Sequence, residues 1–359
     1  MKQVLISGYL GFENFGDEAL LHVLINNLLE IGFKKENITV ISKEPKVTTN
    51  IYNVYSINRL NLFEFLSALF KSKAIIFIGG LFQDKTSFRS FFYYFLQLFL
   101  SEILGKEIIF YGVGIGPLQQ SISRTLFDFA IKSVNQLTVR DQASLATIPY
   151  RGVLVTCDPV WSIKADYTFK NQIPNVNWQL PILGVSMRND KYLKGYHLTK
   201  LADKLARVLD GMKDWQVLLI PCMPQEDLPV LYELYNLIEK KISPQGRVIL
   251  LENFNQFSIP HQAGILASCE AVVGMRYHAL LIPLANEKPV FGLIYDQKIK
   301  SLLDFANQVG VSYRDDLDQA WSYFWQNIQH SQEMAKQAKL QAEELNKRNT
   351  ELLERLYNT

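Results

Sequence analysis

Val4-Leu5-Ile6 runs through Ser7-Gly8-Tyr9-Leu10-Gly11-Phe12-Glu13-Asn14-Phe15-Gly16-Asp17-Glu18-Ala19 into Leu20-Leu21-His22-Val23-Leu24-Ile25-Asn26-Asn27-Leu28-Leu29. The first three residues are a short buried strand and the last ten a helix, so the stretch between them is a strand-to-helix loop. Three glycines let this backbone bend and approach a ligand closely. Asp17 and Glu18 fall at the helix start, where carboxylates favour the positive end of the dipole. Asn14 is placed to turn or cap the loop. Taken alone, an ordinary capped turn reads the same way. Neither the dinucleotide glycine pattern nor the phosphate-loop Lys-Ser/Thr is present. The loop is acidic, so a sugar hydroxyl or a transferred proton suits it better than an anion.

The same strand, loop, helix order repeats outward from this unit. Ile38 to Ser42, Ile51 to Ile57, Ala74 to Ile78, Glu107 to Tyr111, Gln136 to Val139 and Val153 to Val155 read as further strands, with helices over 62–70, 88–104 and 124–134. Strands at Ile182 to Met187, within 215–221, at Arg247 to Leu251, Ala271 to Val273 and Val290 to Ile294 form a second series. This alternation predicts parallel sheets covered on both faces. In such sheets ligands gather beyond the carboxyl ends of the strands, where the glycine and polar loops fall. Between the series, Lys164 to Leu180 has no apolar run and reads as a linker. The expected organisation is a first Rossmann-like domain over 1–165, a linker over 166–181, a second such domain over 182–330 and a C-terminal helix over 331–359. That is an α/β protein of two doubly wound domains facing a cleft, the GT-B-like architecture. In the tail, Ala338, Ala342, Leu345, Asn349, Leu352 and Leu356 make an apolar seam with one polar break. A helix laid back on the body is expected, with dimerisation as the sharper alternative.

The 359 residues, 48% of them hydrophobic, suffice for two cores. With 37 Lys and Arg against 35 Asp and Glu, the net charge of +2 excludes nucleic acid as a main partner. Cys157, Cys222 and Cys269 are scattered, which suits core positions in a reducing compartment. Met1-Lys2-Gln3 leads straight into a strand without a signal-peptide pattern, so a cytoplasmic location is expected. No metal-ligand spacing and no nucleophile elbow occurs. The segment 88–104 is aromatic but broken by Arg89, Gln97 and Glu102. It is expected to be a half-buried helix rather than a span, with contact to lipid or a second subunit as the sharper reading.

Four cations stand just after strands: Arg140, Arg188, Arg276 and Lys298. His278 follows Arg276 by two residues at a helix start. Arg is a flat two-pronged donor for carboxylate or phosphate, Lys a point charge, and His a proton carrier near neutral pH. A lone strand-end arginine is usually a surface ion pair. The set points to a small dianion beside a moving proton. The other histidines read as structural.

Gly8-Tyr9-x-Gly11-x-x-Asn14-x-Gly16-Asp17-Glu18-Ala19-x-Leu21 resembles the amino-terminal signature of the polysaccharide pyruvyltransferases, the cell-wall polymer branch in particular. Gly79-Gly80 with Gln83-Asp84 and Thr86-Ser87, Gly112 to Pro117, Arg140-Asp141-x-x-Ser144, Asp158-Pro159, Ser186-x-Arg188, Gly274-Met275-Arg276-x-His278-Ala279-Leu280 and Tyr295-Asp296-x-Lys298 are similar to that family's later motifs, in order. Gly79-Gly80-Leu81 departs where a third glycine and a serine are common. The resemblance, from about Val4 to about Ile299, implies transfer of a pyruvate ketal from phosphoenolpyruvate to a sugar or lipid-linked saccharide, without a metal or other cofactor. It implies Arg276, Lys298 and Arg140 as donor-binding residues, Arg188 as a weaker one, His278 as general acid or base, and Asp17 as the group that orients or deprotonates the acceptor. Asn14 and Asp84 join as substrate-binding residues. An acceptor on a membrane would place the protein on its inner face, and a homo-oligomer is compatible. A nucleotide-sugar glycosyltransferase of the same architecture and an inactive scaffold of a polymer assembly complex are the competing expectations.

Overall fold

The computed structural model of the chain describes residues 3–85, 87–150, 153–190, 195–243 and 246–358, with the side chain of residue 196 excepted. Thr86 of the second motif and Thr359 of the tail therefore lie outside the described residues. The chain divides into two compact units, Met1–Ser162 with Ala342–Thr359, and Ile163–Gln341.

In the first unit, strands β1 (Val4–Ser7), β2 (Ile38–Ser42), β3 (Tyr55–Asn58), β4 (Ala74–Phe77), β5 (Gly80–Leu81), β6 (Glu107–Ile115), β7 (Gln136–Val139) and β8 (Leu154–Val155) alternate with helices α1 (Phe15–Ile31), α2 (Pro45–Tyr52), α3 (Leu62–Lys71), α4 (Phe88–Ile103), α5 (Ser121–Ala130) and α6 (Gln142–Leu145). The sheet order is β3-β2-β1-β4-β6-β7-β8, with β5 paired to β6, and all pairs are parallel. Val4, Leu5 and Ile6 are fully buried between β2 and β4, which is why this run carries no polar alternation.

Residues 51–57 hold a helix end and a strand. Pro45 sits in the first turn of α2, where its fixed φ favours helix. Asn53, at φ 54, ends it in the left-handed conformation, and only then does β3 begin. The β-branched Ile51, Val54 and Ile57 give the region its strand-like look.

The second unit carries β9 (Ile182–Ser186), β10 (Gln216–Leu219), β11 (Val248–Leu250), β12 (Ala271–Gly274), β13 (Val290–Ile294) and β14 (Val309–Ser312), in the order β11-β10-β9-β12-β13-β14, all parallel. Helices α7 (Tyr196–Gly211), α8 (Pro224–Glu239), α9 (Ile259–Ala267), α10 (Tyr277–Ala285), α11 (Gln297–Phe305) and α12 (Leu317–Gln326) flank it. Three pieces of this unit had no signal in the sequence reading, α11, β14 and α12. Gly310 opens the surface of β14, where a Cβ would meet Leu303 at 2.4 Å, so the strand lacks the usual apolar pattern. Segment 166–181, proline-bearing and without an apolar run, is packed within this unit. Phe169 is fully buried with its ring against Trp178, and Asp166 N donates to Pro260 O.

The last helix, α13 (Ile328–Asn358), starts in the second unit and ends in the first. Its buried face includes Ala335, Ala338, Ala342, Asn346, Asn349, Leu352, Leu353 and Leu356, with Leu345 only half-buried. The polar break in the seam has a specific partner. Asn349 is fully buried, donates to Cys157 O at 3.2 Å and accepts from the Thr156 hydroxyl at 3.0 Å. Asn349→Ala strips both groups of a buried partner, and it is expected to cost about 1–3 kcal/mol, read as a lower midpoint in urea unfolding. All three cysteines are buried, and burial pushes the Cys222 and Cys269 thiols up to about 12.

Candidate functional site

The carboxyl edge of the second sheet collects the cations. Arg188 follows β9, Glu226 and Asp227 open α8 after β10, Arg276 caps α10 after β12 with His278 in that helix's first turn, and Tyr295 and Lys298 follow β13. These four strands are neighbours, and the order turns between β9 and β12, the place where open parallel sheets take ligands. Gly274 lets β12 and β9 close up there, since a Cβ would stand 3.0 Å from Ser186 O.

Arg276 is locked. Its Nε donates to Asp227 Oδ1 at 3.0 Å, and its Nη2 donates to Asp227 and to Glu226 Oε2 at 2.8 Å. Asp227 is fully buried and also accepts from Met223 N at 2.9 Å. Burial works against the charge on Arg276, but the Asp227 carboxylate and its hydrogen bonds outweigh it and hold the guanidinium charged. Glu226 is different. It is half-buried, and the same Oε2 that meets Arg276 lies 3.8 Å from Arg188 Nη2. Arg188 lies over the Tyr295 ring, 5.0 Å from its centroid, and donates to the Tyr295 hydroxyl at 3.2 Å. Lys298 Nζ stands 5.9 Å from the same ring, and Lys298 has no ion-pair partner among the described residues. Asp296 caps α11 by accepting from Lys298 N. His278 is half-buried in the first turn of α10, its ring set edge-on to Tyr277 at 5.0 Å.

Arg188, Arg276 and Lys298 are thus brought to one edge, and Glu226, Asp227 and Tyr295 organise them. Glu226 and Asp227 carried no functional signal in the sequence. A small cavity of about 50 Å3 also shares Tyr295 and Met275, with Asp190, His197 and Tyr313 in its wall. None of the three cations lines it, so it is a separate apolar pocket.

At the carboxyl edge of the first sheet the motifs interlock. Gly11, at φ +78, is obligatory, because a Cβ there would lie 2.2 Å from Ser42 Oγ. Glu18 Oε1 accepts from Gly11 N at 2.8 Å, and burial raises the Glu18 pKa more than this bond lowers it. Asn14 is the N-cap of α1, accepting from Gly16 N and donating to Asp17 Oδ2 at 2.6 Å. Asp17 Oδ1 lies alongside Gly79.

Arg140 lies flat on Gly114, where a Cβ would stand 2.7 Å from its Nη2. Its Nη1 meets Asp158 Oδ2 at 3.1 Å and its Nε meets Asp141 Oδ2 at 3.3 Å, with the side chain 8% exposed. Asp141 in turn accepts from Ser144 N and Oγ, both at 2.7 Å, and Ser144 Oγ accepts from Ile115 N. Gly112 makes room for Pro159. The glycine loop after β6, the Arg-Asp motif after β7 and the Asp-Pro motif after β8 are therefore one ionic clasp. Two carboxylates already balance Arg140, which sets it apart from Lys298. Asp84 is likewise engaged. Its carboxylate accepts from Gln119 N at 2.7 Å and Gln120 N at 2.8 Å, tying the loop that enters α5. These bonds outweigh the upward pull of burial and lower its pKa. Among the described residues no cluster of three His, Cys, Asp or Glu is placed to hold a metal ion.

This geometry sits on a widely used scaffold. The fold matches S. aureus MnaA in a co-structure with UDP at a TM-score of 0.62 and 12% identity, covering 95% of this chain and 92% of that one. It matches the UDP-GlcNAc 2-epimerase from Neisseria meningitidis bound to UDP-GlcNAc at 0.59 and 12%, and Anabaena HepE in complex with UDP and glucose at 0.59 and 13%, each over 100% of both chains. At such identities the likeness is one of fold, the GT-B arrangement of two parallel-sheet α/β domains. No curated protein matches the sequence. The family described as polysaccharide pyruvyl transferase matches residues 14–297, from the N-cap of α1 to the first residue of α11.

Proposed function

The chain belongs to the polysaccharide pyruvyl transferase family, and on that premise we propose that phosphoenolpyruvate is its donor and that the carboxyl edge of the second sheet seats it. The observation that carries this reading is the shared Glu226 carboxylate. It accepts from Arg276 Nη2 and faces Arg188, while Asp227 accepts from Nε and from the same Nη2. A half-buried carboxylate shared by two arginines supports that reading, because an incoming carboxylate or phosphate would take the same place. Lys298 supplies a further charge.

The chemistry follows from the donor. A proton added to the terminal methylene carbon of phosphoenolpyruvate makes a methyl group and an electrophilic central carbon. A sugar hydroxyl attacks that carbon, and its proton restores the one the general acid gave to the methylene. The bond from carbon to the bridging oxygen breaks and phosphate leaves, and a second hydroxyl closes the ketal. Its proton departs with the phosphate as hydrogen phosphate. His278 is the general acid toward the methylene, Arg276, Arg188 and Lys298 balance the charge of the leaving phosphate, and Asp17 orients an acceptor hydroxyl. Arg140, Asn14 and Asp84 act by shaping the first sheet's edge around Asp17. The acceptor is a sugar of a cell-surface polymer precursor, free or lipid-linked, as in the cell-wall polymer branch, and the reaction is placed in the cytoplasm or on the inner face of the membrane. No resident cofactor is invoked.

Calorimetric titration with phosphoenolpyruvate tests the seat. Arg276→Ala and Lys298→Ala are each expected to weaken binding by about tenfold to a hundredfold, the worth of a hydrogen bond to a charged group. Glu226→Gln removes the competing carboxylate and is expected to tighten binding about threefold or more. Equal affinities across wild type and all three variants would place the donor elsewhere.

A further inference from the structure

The first unit turns a broad apolar surface outward. Helices α3, α4 and α5 pack on the same side of its sheet: Phe65 and Leu69, Phe91 and Leu98, Phe127 and Ala130 share one core cluster with Leu5, Phe77 and Phe110. A helix that buries one face normally shows polar residues on the other. These three do not. Leu60 and Phe63 are 83% and 87% exposed, and Phe70, one helical repeat on from Phe63, is 73% exposed. On α4, Phe88, Phe92, Leu96 and Ile103 are exposed at spacings of four and seven. On α5, Ile122 and Phe129 are exposed seven apart.

The helices are joined across their outer side. Lys106, just past α4, donates to Phe70 O at 2.7 Å and lies over the Phe70 ring. Tyr93 donates to Arg59 O, and Arg59 stacks on Tyr93 at 4.5 Å. The exposed cations Lys71, Lys85, Arg89 and Lys132 fringe the surface. The exposed acids on these helices are Glu64, whose carboxylate already accepts from Asn58 N, and Glu102. Exposed aromatic side chains on helices that also carry exposed Lys and Arg match an anionic bilayer surface, where rings sit at the headgroup boundary and cations on the phosphates. Among the described residues no helix is long and apolar enough to cross a membrane.

We propose that the outer face of α3, α4 and α5 docks the protein peripherally on an anionic lipid bilayer. The inference is independent of the donor chemistry, since binding is read without turnover. The test is co-sedimentation of the full chain with vesicles of phosphatidylcholine alone or mixed with phosphatidylglycerol. Wild type is expected to partition onto the mixed vesicles and to be partly released by salt. Phe63→Ser with Phe70→Ser, at positions too exposed to support the core, is expected to cut partition about tenfold with an unchanged thermal midpoint. Hydrogen exchange on wild type gives a check without variants: vesicles should slow exchange in 60–71 and 88–104. Equal partition of wild type and variant, or no slowing there, overturns the proposal. So does a wild-type dimer that the variant splits while neither form binds vesicles, which would give the face to a second copy.

Discussion

His278→Ala is expected to lose about two to four orders of magnitude in turnover, the usual share of a positioned general acid, while phosphoenolpyruvate still binds within about threefold of wild type. The split follows from geometry. The three cations proposed to hold the donor follow β9, β12 and β13, and Arg276 is fixed by Asp227 rather than by the histidine. His278 is the second residue of α10 with its ring against Tyr277, so truncating it leaves the cation set in place. Turnover is read as phosphate release, binding by calorimetry on the same preparation. Near-native turnover would remove the histidine from the proton transfer. Loss of binding in step with turnover would make it a donor ligand instead.

Asp227→Ala is expected to be the most damaging single change in the second unit. It leaves the Arg276 guanidinium, only 12% exposed, without its main counter-charge and leaves Met223 N without an acceptor. Breaking a buried pair by removing one partner costs about 3–5 kcal/mol. Glu226 can recover part of this, since it already holds one arm of Arg276, so the lower end of that range is expected in denaturant unfolding. Asp227→Asn keeps the size and an acceptor oxygen. It is expected to retain most of the stability, while Arg276 loses its anchor charge and donor affinity falls about tenfold. A stable, fully binding Asp227→Ala protein would show that Arg276 needs no support from α8.

How much of this was legible in the sequence depends on distance along the chain. The loop from Ser7 to Leu20 was readable because its parts are local: an apolar strand, glycines at the bend, carboxylates in the first helical turn. The cation set was readable because each member directly follows an apolar run. What joins those positions was not. Asp227 lies 49 residues before Arg276 and Asp158 lies 18 after Arg140, and only strand order brings each pair together. The sequence therefore offered four bare cations, whereas the fold pairs Arg140 and Arg276 with buried carboxylates and leaves Lys298 as the less compensated charge. Segment 166–181 reads as a linker because its buried residues, Phe169, Ile173 and Val176, stand apart in polar surroundings without forming an apolar run. The polar break at Asn349 looked like a flaw in an apolar seam. It is instead the point where α13 is bonded to the loop after β8.

The loop around Gly8 also gains a narrower meaning. Asn14 and Glu18 are occupied with holding it, by the cap on Gly16 and the bond to Gly11. Asp17, held by Asn14 beside Gly79, is the carboxylate that carries the proposed acceptor role.

The central claim is that phosphoenolpyruvate is the donor. Its most direct test is incubation of the full chain with phosphoenolpyruvate and a panel of sugar and lipid-linked acceptors, following phosphate release and product mass together. The account predicts phosphate release that depends on an acceptor, matched by an added pyruvate ketal. Turnover of a nucleotide sugar, with no phosphate release from phosphoenolpyruvate for any acceptor, would contradict it.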